Sequence, residues 1–211
     1  MPPSASRAQH AIRILALLHG MGEPVGQPGD PAEAVLAIRS EKKLQALDFW
    51  VRNPDYLADE LLNEVEAGRL DGSYEAVAEE LLSDPEPALH HYPMPKYLYG
   101  AYERIDDAFA LLDAYGLAAL RRTYAPKRRT QLYLLQAGEQ AALTLEDPVS
   151  VLSWYPRQVR LVKLVARDDL GEHLKERQYK QARYAGAELR SDIDPVADLV
   201  LARLAGRRVA P

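Results

Sequence analysis

The sequence predicts a mainly α-helical chain with one β-hairpin near its middle. Three observations support this. Apolar residues recur at spacings of three and four over most of the 211 residues, and the period turns to alternation across 117–135. Gly, Pro, Asn and Asp also punctuate the chain at intervals that suit helix ends.

Taken in order, residues 9–18 read as a short helix with Ile12, Leu15 and Leu18 on one stripe. Gly22, Pro24, Gly26, Pro28, Gly29 and Pro31 make a loop. Residues 32–39 fit a short helix or a strand equally well. Ser40 opens a helix that buries Leu44, Leu47 and Val51 and stops at Asn53-Pro54. Asn53 as cap and Pro54 in the first turn start the next helix, which buries Leu57, Leu61 and Val65 and ends at Gly68. Ser73 caps a third helix with Val77, Leu81 and Leu82, and Asp84-Pro85 ends it. Pro93 and Pro95 enforce an extended connector.

A longer helix is then expected over 97–115, with Leu98, Ala101, Ile105, Ala108, Phe109 and Leu112 inward and Gly116 as its left-handed end. Residues 117–124 and 130–135 read as two strands joined through Ala125-Pro126-Lys127-Arg128-Arg129, an antiparallel hairpin. Ala137-Gly138 opens another helix. Helices follow over 148–166, 170–189 and 196–204, with Gly206 freeing the tail. The expected domains are 1–31 (helix and loop), 32–145 (the central domain) and 146–211 (a helical region).

Composition narrows the function classes. With no cysteine, disulfides, thiolate catalysis and cysteine-rich zinc sites are excluded. Five histidines, of which only His90 and His91 are adjacent, make a poor metal clamp, so no metal and no cofactor is expected. No run of eighteen apolar residues suggests a membrane span, and 1–7 lacks a signal-peptide core; a cytoplasmic protein is expected.

Charge is unevenly spread. The net charge is −5, but residues 41–86 hold thirteen acidic and four basic side chains, while 120–131 hold five basic and none acidic. Residues 157–190 carry nine basic against five acidic. No Gly-x-x-x-x-Gly-Lys-Ser/Thr loop and no Gly-x-Ser-x-Gly elbow is present. Asp30, Glu41 and Lys43 have the residue types of a metal-dependent nuclease set, but Glu41 and Lys43 fall in a helix rather than on adjacent strands. No enzyme active site is expected.

The run Leu111-Leu112-Asp113-Ala114-Tyr115-Gly116-Leu117, then Arg121-Arg122, Lys127-Arg128-Arg129 and Leu132-Tyr133-Leu134-Leu135-Gln136-Ala137-Gly138, resembles the end of winged-helix domains. That resemblance implies a winged-helix core, the helix before Gly116 as recognition helix and the hairpin as wing. Leu135-Gln136 departs from the Leu-Thr that usually precedes the Gly-led helix.

On this reading Arg121, Arg122, Lys127, Arg128 and Arg129 would contact phosphates or an acidic partner. Arg104 is the one base-reading side chain on a helix that otherwise carries Glu103, Asp106, Asp107 and Asp113. Everything read from this segment requires a cationic two-stranded flap; a continuous helix there, or strands inside a larger sheet, would remove its basis.

A longer resemblance runs from Leu47-Asp48-Phe49-Trp50-Val51-Arg52-Asn53-Pro54-Asp55-Tyr56-Leu57 and Pro93-Met94-Pro95-Lys96-Tyr97-Leu98-Tyr99-Gly100 through Asp106-Asp107-Ala108 and the hairpin. It continues to Trp154-Tyr155 and Leu174-Lys175-Glu176-Arg177-Gln178-Tyr179. This layout is similar to the middle-component subunits of bacterial ABC-three-component and Lamassu-type defence systems. It implies a non-enzymatic adaptor beside an SMC-like or ABC-type ATPase and an effector in antiviral defence. The alternative is a DNA-binding transcriptional regulator. Twelve tyrosines against two phenylalanines, with Tyr97, Tyr99 and Tyr102 clustered, mark a candidate protein interface. Self-association stays open.

Overall fold

The computed structural model describes residues 6–83, 94–98, 100–124 and 129–209. Helices dominate, around a small antiparallel sheet. Ser6 starts α1 (Arg7–Met21) with a capping box: its hydroxyl accepts from Gln9 N at 3.2 Å and the Gln9 side chain accepts from Ser6 N at 2.8 Å. Helix α1 is central. Ile14, Leu15, Leu17 and Leu18 are buried, and so are His10 and Arg13. The single stripe expected from the sequence is therefore too narrow.

After β1 (Glu23–Pro24), the undecided stretch becomes strand β2 (Ala34–Ile38). Ser40 caps α2 (Glu41–Arg52) as expected, its hydroxyl accepting from Lys43 N. Helix α3 (Pro54–Glu66) follows directly. Asn53 holds its N-cap position, with Pro54 in the first turn as expected, but makes no side-chain cap; its amide instead donates back to Phe49 O at 2.7 Å, closing α2. Gly68 takes φ +67° past the end of α3. At the start of α4 (Tyr74–Ser83), Ser73 N donates to the Asp71 carboxylate, so Asp71 organises the turn assigned to Ser73.

The long helix expected over 97–115 is corrected. Its first part is a small hairpin, β3 (Lys96–Tyr97) and β4 (Gly100–Ala101), and only α5 (Asp106–Ala114) is helical. Gly100, at φ +103°, explains the break, since a helix interior excludes that conformation.

Strands β5 (Ala118–Thr123) and β6 (Arg129–Leu135) form the expected hairpin. It is not a two-stranded flap: the sheet order is β1–β2–β6–β5, and β2 pairs with β6 through Ala37↔Tyr133 and Ile38↔Leu132. The apolar run Val35-Leu36-Ala37-Ile38 supplies the extra strand. Helix α6 (Gln136–Thr144) follows.

The expected helix over 148–166 is a 3₁₀ turn (Val151–Ser153) running into α7 (Trp154–Ala166). The expected helix over 170–189 divides into α8 (Gly171–Tyr179) and α9 (Ala182–Gly186). Helix α10 (Ala197–Val209) runs through Gly206, which does not free the tail.

One buried apolar cluster reaches from Ala11 to Leu204. Phe49, Tyr56 and Tyr184 meet edge-on inside it, with ring centroids 4.9 and 5.0 Å from Phe49. The acidic stretch is largely answered from within the chain. Arg203 reaches Asp59, Asn63 and Glu66; Arg207 reaches Glu66 and Glu75; Arg208 reaches Glu79. Arg177 joins Glu60 at 2.6 Å and Glu64 at 2.9 Å. Arg203, Arg207 and Arg208 fasten helix α10 across α3 and α4, and its Val200 and Leu204 are buried.

Candidate functional site

The hairpin leaves α5 through a Schellman turn. Gly116 sits at φ +64°, its N–H donates to Asp113 O at 2.9 Å, and Leu117 N donates to Leu112 O at 2.8 Å. The Gly-led helix also has a physical basis. A Cβ on Gly138 would lie 1.9 Å from Leu117 O, so α6 presses its backbone onto the start of β5. Leu135 gives α6 no side-chain cap; Gln136 N donates to Glu33 O at 3.0 Å instead.

Register sorts the cations. Arg121 stands opposite Gln131, and Thr123 opposite Arg129, so Arg121 and Arg129 share the sheet face that carries Tyr133. Arg122 stands opposite Thr130 on the other face, where it donates to Asp106 at 2.6 Å. Arg121 donates to Gly29 O. All three arginines are exposed. Lys127 and Arg128 lie outside the described residues.

Beside them, the Gly/Pro loop covers the Tyr133 face. The Arg39 guanidinium, with Gly26 N, Gln27 N and the Tyr133 hydroxyl, holds the Asp30 carboxyl far below the usual carboxylate range. Asp30 is thus engaged by Arg39, and Glu41 meets the Tyr102 hydroxyl at 3.3 Å on α2. The nuclease residue types serve separate contacts.

Helix α5 turns Asp107, Ala110, Asp113 and Ala114 to the exterior. Asp106 is half-buried against Arg122, and Glu103 is held by Arg52. Arg104 projects, 85% exposed, with its Nε 3.9 Å from Asp106. An outward helix face with two carboxylates and no cation opposes entry between two rows of phosphates. Tyr97 is 41% exposed, Tyr102 is half-buried, and Tyr99 lies outside the described residues.

Sequence reasoning missed a buried polar node. Arg13 Nε lies 2.5 Å from Asp48 Oδ1; Arg52 lies 3.8 Å from Asp48 and pairs with Glu103. Burial alone would raise the Asp48 carboxyl, but the Arg13 and Arg52 guanidinium groups hold it below the usual range. Burial pushes His10 down to about 4, and its Nε2 has no partner among the described residues.

His10, Asp48 and Glu103 place ligand-type atoms within 4.8 Å of one another. A dication there would sit against two guanidinium groups already holding both carboxylates, an unfavourable balance of charge. The arrangement is a structural ion network. Its sequence signal was Arg13 inside the apolar run Ala11-Ile12-Arg13-Ile14-Leu15.

Compared with protein-family models, with curated proteins and with solved structures, the chain finds no match.

Proposed function

We propose that this chain is a non-enzymatic winged-helix adaptor, a subunit that bridges an SMC-like or ABC-type ATPase and an effector in antiviral defence. The observation that carries the reading is the pairing of an acidic outward face on α5 with exposed Arg121 and Arg129 on the adjoining hairpin. A helix of that charge is suited to a protein partner rather than to base edges. Support for a wing is narrower than a flap would give, and comes from the sheet edge. The additional strands join on the β6 side, so β5 stays the outer strand of the sheet, and Tyr124 at its end is 71% exposed.

The order α5, Gly116, β5, β6 supports assigning a winged-helix core. The free-standing flap is lost to the larger sheet, so the proposal rests on the charge layout of the helix and hairpin instead. Transcriptional regulation is the second reading, favoured by one observation: Arg104 projects into solvent and is linked through Asp106 to Arg122 of the wing.

Co-purification of the tagged chain with the product of a neighbouring ATPase gene tests the adaptor. A stable complex weakened by Arg121→Glu with Arg129→Glu is expected. Absence of any complex, together with a salt-sensitive duplex shift lost on Lys127, Arg128 and Arg129→Ala, would replace it with the regulator.

A further inference from the structure

A groove of about 640 Å³ lies between α2, the β3–β4 hairpin and α8. Ala46, Ala101 and Gly171 line it as small residues. Its polar residues are already occupied. Gln45 donates to Glu103 O at 2.7 Å and accepts from Glu103 N at 3.0 Å. Gln178 donates to Ala46 O at 2.9 Å, and the Tyr184 hydroxyl accepts from Ala101 N at 2.7 Å. The exposed wall is therefore chiefly apolar, with few groups left to orient a small ligand.

The hairpin wall is held in place. Lys96 N donates to Ser191 O at 2.9 Å, and Gly100 packs so closely that a Cβ would lie 2.8 Å from the Tyr184 hydroxyl. At its tip Leu98 is 75% exposed and Tyr97 41% exposed, apolar surface beyond the concavity.

Charge selects the occupant. Lys42, Arg104 and Lys175 line the groove against one acid, Glu41; Lys42 is paired with Glu172 outside it, so Arg104 and Lys175 set the charge offered to an occupant. Glu41 is turned to the Tyr102 hydroxyl.

We propose that this groove docks a peptide segment of a protein partner, with an apolar anchor flanked by acidic residues. The anchor would enter between Ala46 and Ala101 and cover Leu98, while the acids meet Arg104 and Lys175. A small molecule would leave Leu98 uncovered, and a nucleic acid could stack on Tyr97 and Tyr102 but would leave the aliphatic wall of Ala46, Leu98 and Ala101 without a partner. The proposal deepens the adaptor reading and rests on it for the existence of a protein partner.

The test is selection of a random twelve-residue peptide library on the full chain, followed by fluorescence anisotropy with an enriched synthetic peptide. Enriched sequences should set Leu, Trp or Phe among Asp and Glu. Affinity should fall at least tenfold for Arg104→Glu with Lys175→Glu, and for Leu98→Ser, with unchanged thermal melts. Enrichment without that pattern would overturn the proposal, as would equal binding by the variants. So would tighter binding of a single-stranded oligonucleotide, or a dimer of this chain broken by the same substitutions. ATPase co-purification is read separately. A peptide result that fails while the ATPase still co-purifies retires the groove alone; the reverse retires the adaptor reading.

Discussion

Two charged stretches of this chain meet opposite fates. The acidic one, between Glu41 and Glu86, is largely paired within the protein: Asp48 lies between Arg13 and Arg52, Glu60 and Glu64 lie under Arg177, Asp59 is held by Arg203, and Glu66 pairs with Arg203 at the surface. The cationic one, on β5 and β6, stays outside, with Arg122 engaged to an aspartate and Arg121 to a carbonyl. A block of like charge in a sequence therefore does not mark a binding face by itself. The chain's own arginines, up to 144 residues away in sequence, take up much of the acidic stretch.

The comparison breaks hardest at the buried end. Asp48→Ala leaves two guanidinium groups without their shared carboxylate and should cost about 3–5 kcal/mol. In thermal unfolding that corresponds to a drop of roughly 2–4 °C per kcal/mol. A loss below about 1 kcal/mol would show that the node is solvated.

His10 sharpens the same point through pH. Its folded imidazole titrates at about 4, against an ordinary 6.5, because burial disfavours the charged form. The unfolded chain therefore binds the extra proton between those values. This contribution is complete above about 6.5 and is lost as pH falls toward 4, by about 2–3 kcal/mol. Urea unfolding of His10→Gln between pH 7 and 4.5 should show a flatter profile than the parent; parallel profiles would contradict the assignment.

At the partly exposed level, Arg203→Ala should cost about 1–2 kcal/mol, most of it from lost contacts to Asp59, Asn63 and Glu66. Hydrogen exchange should show α10 opening sooner in the variant, and sooner in high salt for the parent. Smallest in stability is Arg121→Glu with Arg129→Glu, expected within about 0.5 kcal/mol of the parent in denaturant titration. The same pair should weaken any complex made through the hairpin. A large destabilisation would place these arginines with the buried set instead.

Local signals carried much of the fold. Ser40, Gly68 and Gly116 mark real helix boundaries, and alternation across 117–135 is the hairpin. Pairing partners were not legible. Nothing in Ala34-Val35-Leu36-Ala37-Ile38 indicates that its partner is Leu132 to Leu135, nearly a hundred residues on, because strand pairing depends on topology. Leu98 and Ala101 kept helical spacing with Ile105, but Gly100 at positive φ outweighed it. At the site, Arg121, Arg122 and Arg129 could be named from sequence. Their division between two faces required the register, and the groove required α2, the small hairpin and α8 to come together.

A lineage drifting from this sequence cannot lose Asp48 alone without stranding Arg13 and Arg52 in the interior. Substitution there should come in concert: either the charges persist together, or an apolar set of similar volume replaces them at little net cost. Positions 13, 48, 52 and 103 should accordingly co-vary among diverged relatives, a heritable mark of three segments fastened at one point.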